Sequence, residues 1–218
     1  LQSQKPLLRY IVSMVLNLNV SGIVSTNSYY LEEDGKGYLI DAPDGIGSWI
    51  GKLKDEGKRI DAVLLTHGHF DHVMGLVEVK KIFPDVSVYL RNEDWQMVKE
   101  DNLKFLSFFG IPLSLYHIPE DMEFLDYPYE NSSFRFIPTP GHTKGGVSIL
   151  WKDNGILFSG DTLFQMGEGR SDLGGDRETL MASIRKLSLL PPETIVLPGH
   201  GGRTTIGREA RRLGFTQP

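Results

Sequence analysis

The segment Ile60-Asp61-Ala62-Val63-Leu64-Leu65-Thr66 runs directly into His67-Gly68-His69-Phe70-Asp71-His72. A short, nearly continuous apolar run is the mark of a strand buried on both faces. The polar string then falls at the carboxyl end of that strand, where sites in α/β sheets are built. Three imidazoles within six residues are hard to place as structural side chains. Each needs a hydrogen-bond partner if buried, and protonating one disfavours protonating the next. A metal resolves the conflict by taking the nitrogen lone pairs in place of protons.

The rest of the chain fits a layered arrangement around that strand. Residues 10–24, 28–32 and 37–41 read as strands, with Glu33-Asp34-Gly35-Lys36-Gly37 as a hairpin tip. The spacing of Ile46, Trp49, Ile50 and Leu53 predicts a helix from Gly45 to Gly57 with Asp44 as its N-cap. A helix follows the histidine string to about Phe83, Pro84 and Asp85 close it, and Val86 to Leu90 is the next strand. The second half repeats the theme. Strands are expected at 133–138, 146–151, 155–160 and 194–197, a helix from Asp176 to Leu187, and a short helix from near Thr205. The aromatic-rich stretch 91–131 reads as connecting helices and loops, with Phe105, Phe108 and Phe109 as core residues in preference to a pocket wall. Two β-rich halves with helices outside predict an α+β chain, a four-layer α/β/β/α sandwich, with residues 1–218 forming one domain.

Composition removes several function classes. The 23 Lys and Arg against 28 Asp and Glu, with no basic block, give no electrostatic footprint for nucleic acid. No stretch is long and apolar enough for a membrane-spanning helix; the closest approach, Tyr10 to Val24, is broken by Ser13, Asn17, Asn19 and Ser21. The chain has no cysteine, which excludes disulfides, cysteine nucleophiles and thiolate metal ligands. With no signal-peptide pattern in view, a cytoplasmic location is the expectation. No feature specifies an oligomeric state.

Three further residues extend the metal-binding pattern. His142 lies in Thr139-Pro140-Gly141-His142-Thr143, Asp161 in Ser159-Gly160-Asp161-Thr162, and His200 in Pro198-Gly199-His200-Gly201. Each sits beside Gly or Pro at an expected sheet end, where the backbone turns sharply. Only His117, in Tyr116-His117-Ile118-Pro119, reads as structural. The ordered set His67, His69, Asp71, His72, His142, Asp161, His200 resembles the metallo-β-lactamase superfamily over about residues 24 to 210. That resemblance implies the α/β/β/α sandwich and a dinuclear centre at one edge of the paired sheets. It implies one cation on His67, His69 and His142, a second on Asp71, His72 and His200, and Asp161 bridging them. Imidazole and carboxylate donors without thiolate suit zinc foremost, and also iron or manganese.

Such a pair of cations lowers the pKa of a shared water from 15.7 toward about 7 and polarises a carbonyl. Asp71 would then be the catalytic carboxylate, orienting the metal-bound hydroxide or passing a proton. Gly160 to Arg170 and Thr139 to Thr143 look like the glyoxalase II group, the hydroxyacylglutathione hydrolases. Gly146 stands where that group commonly has histidine, and the chain ends soon after His200, so the nearer resemblance is to short glyoxalase II-like hydrolases. The expected function is hydrolysis of a thioester or related acyl bond in a small-molecule substrate. Lactone or other ester hydrolysis and an iron-dependent persulfide dioxygenase are the alternatives. Lys144 and Arg170 are substrate-contact candidates, although a solvated lysine and an arginine bracing its loop through a carboxylate are the plainer readings.

Overall fold

The structure, a computed structural model, describes residues 16–119 and 121–215. Its first sheet begins with β1 (Leu16–Ser21), β2 (Thr26–Glu33) and β3 (Lys36–Ile40), which pair antiparallel in that order. Asp34 and Gly35, both at positive φ, make the two-residue turn between β2 and β3. Helix α1 (Gly47–Asp55) then carries the chain over the sheet to β4 (Ala62–Leu64), which pairs parallel with β3. Two short helices, α2 (Phe70–Val73) and α3 (Leu76–Ile82), lead to β5 (Ser87–Tyr89), parallel to β4. A 3-10 turn (Asn92–Asp94), a π-helical turn (Met97–Asp101) and α4 (Asn102–Phe108) fill much of the connecting region.

The second sheet contains β6 (Phe134–Pro138), β7 (Val147–Trp151) and β8 (Ile156–Gly160), followed by the short hairpin β9 (Leu163–Phe164) and β10 (Gly167–Glu168). After α5 (Arg177–Leu187) come β11 (Ile195–Pro198), β12 (Thr204–Thr205) and α6 (Ile206–Arg212). The spatial order is β12-β11-β8-β7-β6, with β11 and β8 parallel.

Period-two alternation builds the four layers. In β2, Tyr29 and Leu31 belong to the core between the sheets, with Phe134, Phe136, Trp151 and Phe158 opposite, whereas Tyr30 packs with the helices outside. In β4, Ala62 and Leu64 point to the inter-sheet core while Val63 packs with Ile46, Ile50 and Leu53 of the α1 region. This is why the strand sequence is apolar at successive positions. On the far side, Leu180, Ile184 and Leu187 of α5 cover Leu157 and Val196 of the second sheet. Asp176 caps α5, accepting from the Thr179 backbone N–H at 2.8 Å.

Several expectations need correction. Residues 10–15 lie outside the described residues, and the strand ends at Ser21, with Gly22 to Ser25 forming a turn. Asp44 does not cap α1: Ile46 occupies the N-cap position, and the Gly47 N–H donates to the Glu78 carboxylate at 2.9 Å. A carboxylate brought by α3 thus replaces the local cap. The single helix expected after His72 is broken because the Gly75 N–H leaves the helix to bond the Ala42 carbonyl (2.8 Å), while Ala42 N–H bonds the His72 carbonyl (2.8 Å). Phe108 and Phe109 are 76% and 42% exposed, so they are not core residues.

Ile50 is fully buried between α1 and the first sheet. Ile50→Ala should cost about 2–5 kcal/mol in urea denaturation and leave metal content unchanged; a loss under 1 kcal/mol, or loss of metal, would contradict this layer's independence from the loops beyond the strands.

Candidate metal centre

The parallel strands β3 and β4 of one sheet and β8 and β11 of the other end on the same edge of the sandwich. Asp41, His67, Asp161 and His200 follow those ends directly or within a few residues, and His142 lies on the loop leaving β6. Two backbone bonds join the sheets there: Val147 N–H to the Thr66 carbonyl (2.8 Å) and Asn27 N–H to the Gly199 carbonyl (2.7 Å). Asn27 also donates its side-chain amide to the Pro198 and Gly201 carbonyls, at 2.9 and 3.0 Å. The His200 loop passes so close that a Cβ on Gly199 would stand 2.2 Å from Asp161 Oδ1 and 2.7 Å from His72 Cε1. Only glycine fits.

All seven residues of the expected set converge. Ligand atoms of His67, His69 and His142 lie within 4.8 Å of one another, as do those of Asp71, His72 and His200, and those of His67, His72 and Asp161. Asp161 faces both trios: Oδ1 is 3.4 Å from His72 Nε2, while Oδ2 is 3.5 Å from His142 Nε2 and 3.4 Å from His200 Nε2. Asp71 Oδ2 accepts from the Thr26 hydroxyl at 2.8 Å and stands 3.2 Å from the Nε2 atoms of His72 and His200.

The outer hydrogen bonds dictate which ring nitrogen carries a proton. His142 Nδ1 lies 2.6 Å from the Arg170 carbonyl, His69 Nε2 2.9 Å from the Leu173 carbonyl, and His200 Nδ1 3.3 Å from the Ser25 carbonyl. A carbonyl oxygen only accepts, so each of these nitrogens donates. His72 Nδ1 likewise donates to Asp41 Oδ2 at 2.9 Å. The Thr66 hydroxyl gives its hydrogen to that same carboxylate (2.9 Å) and so accepts from His67 Nδ1 at 3.1 Å. In the neutral rings the five opposite nitrogens therefore carry lone pairs, all turned into one space. His69 Nδ1 and His142 Nε2 meet at 2.8 Å, and His142 Nε2 and His67 Nε2 at 3.2 Å, contacts between lone pairs that are repulsive without something positive between them. His72 Nε2 and Asp161 Oδ1 are buried and have no hydrogen-bond partner. This donor set fits divalent cations.

Without cations, protons supply the positive charge. Burial pushes His67 far below the usual imidazole range, neighbouring imidazoles adding to it, and His69 is pushed down to about 4 by burial and His142. Burial also opposes charge on His72 and His200. The facing carboxylates overcome it, holding His72 well above its ordinary value and His200 at about 10. Burial alone would raise Asp71 and Asp161; the adjacent His72 and His200 reverse this and hold both carboxyls well below the usual range.

His117 is exposed and lies outside these groups. Lys144 is exposed on a shallow pocket of about 200 Å³ shared with Gly141, Gly174 and Asp176, which none of the converging donors lines. Arg170 makes a bidentate pair with Asp172 at 2.7 Å, and its guanidinium lies 5.8 Å from the Phe109 ring centroid. The braced-loop reading therefore describes its side chain, and its carbonyl is the group that holds His142. Phe105 stands edge-on to His69 at 5.6 Å and Phe164 edge-on to His200 at 6.1 Å, so aromatic rings flank the centre on two sides. Sequence reasoning missed Asp41, which is buried at φ 57° and takes the Thr66 N–H at 2.7 Å together with His72 Nδ1. Its position just past an apolar strand, in Leu39-Ile40-Asp41, was the available signal.

Comparison with known proteins agrees with this geometry. The model of the metallo-beta-lactamase superfamily matches residues 21–200. A Streptococcus pyogenes protein named as a probable metallo-hydrolase is 35% identical over 92% of this chain and 89% of its own length. The Haemophilus influenzae hydroxyacylglutathione hydrolase GloC is 34% identical, covering 87% and 92% respectively. Among solved structures, TTHA1623 in a di-iron-bound form superposes with a TM-score of 0.80 at 33% identity, covering 93% of this chain and 98% of its own. The B3 metallo-beta-lactamase BLEG-1 superposes with a TM-score of 0.81 at 35% identity, covering 90% and 97%.

Since His200 is protonated at neutral pH in the cation-free chain, a cation must displace that proton to bind. Loading the stripped protein at pH 7 should release protons, seen by calorimetry in buffers of different ionisation enthalpy, and affinity should fall as pH is lowered. Binding without proton release, or with no rise in melting temperature, would contradict the assigned donor set.

Proposed function

This chain belongs to the metallo-beta-lactamase superfamily, and from that premise we propose that it hydrolyses thioesters or closely related acyl bonds at a two-cation centre. The cations would be held by His67, His69 and His142 and by Asp71, His72 and His200, with Asp161 between them. The observation that carries the proposal is the set of five lone pairs turned inward by outer oxygen acceptors, joined by two ionised carboxylates. Bound divalent cations supply a nucleophile from water near neutral pH and polarise the scissile carbonyl. The likeness to a hydroxyacylglutathione hydrolase supports a thioester as the substrate class. Zinc and iron both suit the donors, and the di-iron form of a similar protein supports iron as strongly as zinc.

The chain's own residues divide the remaining work. The Thr26 hydroxyl donates to Asp71 Oδ2 and holds that carboxylate in place, where it would orient water at the centre by accepting a hydrogen bond from it. The Asp41, Leu173, Arg170, Ser25 and Thr66 oxygens keep the imidazoles from turning. Phe105 and Phe164 pack with their rings nearly perpendicular to His69 and His200, and that apolar surface suits an apolar portion of an acyl substrate. Arg170, neutralised by Asp172, adds little free positive charge there.

The test is a substrate panel on purified protein of known metal content: S-lactoylglutathione, an aryl thioester, an acyl-homoserine lactone, and glutathione persulfide with oxygen uptake monitored. Thioester cleavage abolished by a chelator is the expected result. Oxygen uptake without hydrolysis would replace this reading with the dioxygenase one, and lactone opening alone would replace it with lactonase activity. Asp161→Ala should lose one metal and most turnover; a variant retaining both metals would remove the bridging role. Phe105→Ala should raise KM more than it lowers kcat, and an unchanged KM would dissociate that ring from substrate.

A further inference from the structure

Asp94 lies in the 3-10 turn after β5, far in sequence from every residue of the centre, and its side chain is fully buried. Its Oδ2 accepts from the Gly68 backbone N–H at 3.0 Å and from the Thr143 hydroxyl at 2.7 Å; its Oδ1 accepts from the Gly145 backbone N–H at 2.7 Å. Gly68 is the residue between His67 and His69, and Thr143 follows His142. One carboxylate therefore ties the loop leaving β4, in the first sheet, to the loop joining β6 and β7, in the second. The approach is tight: a Cβ on Gly68 would lie 3.0 Å from the Asp94 Cβ, and one on Gly145 would lie 2.7 Å from its Cγ. The other end of the Gly68 residue is held as well, because Asn102 Nδ2 donates to the Gly68 carbonyl at 2.8 Å.

All three groups on Asp94 are donors, so an ionised carboxylate satisfies every one and a neutral amide cannot. Burial raises its pKa, which shows that desolvation acts against the charge; none of its hydrogen-bond partners is a cation. Burying a carboxylate in this way is costly. What it brings is a fixed distance between two loops whose imidazoles meet across the gap, His69 with His142 at 2.8 Å and His67 with His142 at 3.2 Å.

We propose that Asp94 is a positioning residue that sets the spacing between the His67–His69 loop and the His142 loop, and through it the cation affinity of the three-imidazole half of the centre. The proposal rests on the metal-binding reading of these histidines. It assigns Asp94 no contact with substrate or cation. It distinguishes the two halves of the centre, because Asp71, His72 and His200 receive nothing from Asp94.

The test is titration of chelator-stripped protein with Zn2+ or Co2+ alone, comparing wild type with Asp94→Asn. The substitution keeps the shape and turns an amide N–H toward at least one donor. His69→Ala and His200→Ala assign each binding step to its half. The expected result is about a 10–100-fold loss of affinity at the three-imidazole half, an altered Co2+ absorption band from that half, and an unchanged second step. Thr143→Val, which removes one donor at nearly constant volume, should shift the same step less; it decides the question if Asp94→Asn does not fold. Equal weakening of both steps, or wild-type affinities with only a lower melting temperature, would reduce Asp94 to a structural role and overturn the proposal. Wild-type protein that binds no cation would instead overturn the metal-binding reading itself.

Discussion

Five histidine side chains turned inward by oxygen atoms behind them are the constraint on which the site depends. An imidazole left free to choose its tautomer could hydrogen-bond to its neighbour and close the cluster on itself. Here a hydroxyl, a carboxylate and three backbone carbonyls have already claimed one nitrogen of each ring. The remaining lone pairs can be reconciled only by protons or by cations. The facing carboxylates settle which side of the cluster holds protons when no cation is bound, and that choice explains the opposite shifts of His67 and His72.

The sandwich supports this arrangement by direction as much as by packing. Strands that run parallel release their chains at one edge, and two sheets stacked face to face bring two such edges together. The inter-sheet core of Tyr29, Leu31, Phe134, Trp151 and Phe158 sets the distance between sheets. Cross-sheet bonds at Asn27 and Val147 then lock the rims. A site assembled across a close-packed interface inherits its rigidity, which is what closely spaced lone pairs require.

Much of this was legible in the amino-acid order. The His67–His72 string declares itself because its spacing is local, and β4 is recognisable because burial on both faces removes polar residues from it. The four layers follow from the same alternation. Asp94 and Asn102 were not legible, and Asp41 only by its place just past an apolar strand: each acts through hydrogen bonds to segments distant in sequence, and an isolated polar residue carries no period. The Asp44 cap failed for a related reason, since a tertiary partner, Glu78, took the N–H that a local side chain would have held. The same limit applies to the aromatics of α4 and beyond. Their helical spacing resembles that of a core face, yet Phe105 meets His69 and Phe109 lies under Arg170.

The first residues of β2, Thr26 and Asn27, grip the loop that carries His200. During synthesis, six of the seven donors emerge before this last one. Under the two-cation reading proposed above, the second trio of donors is therefore incomplete until the second sheet has formed and the start of β2 has met the His200 loop.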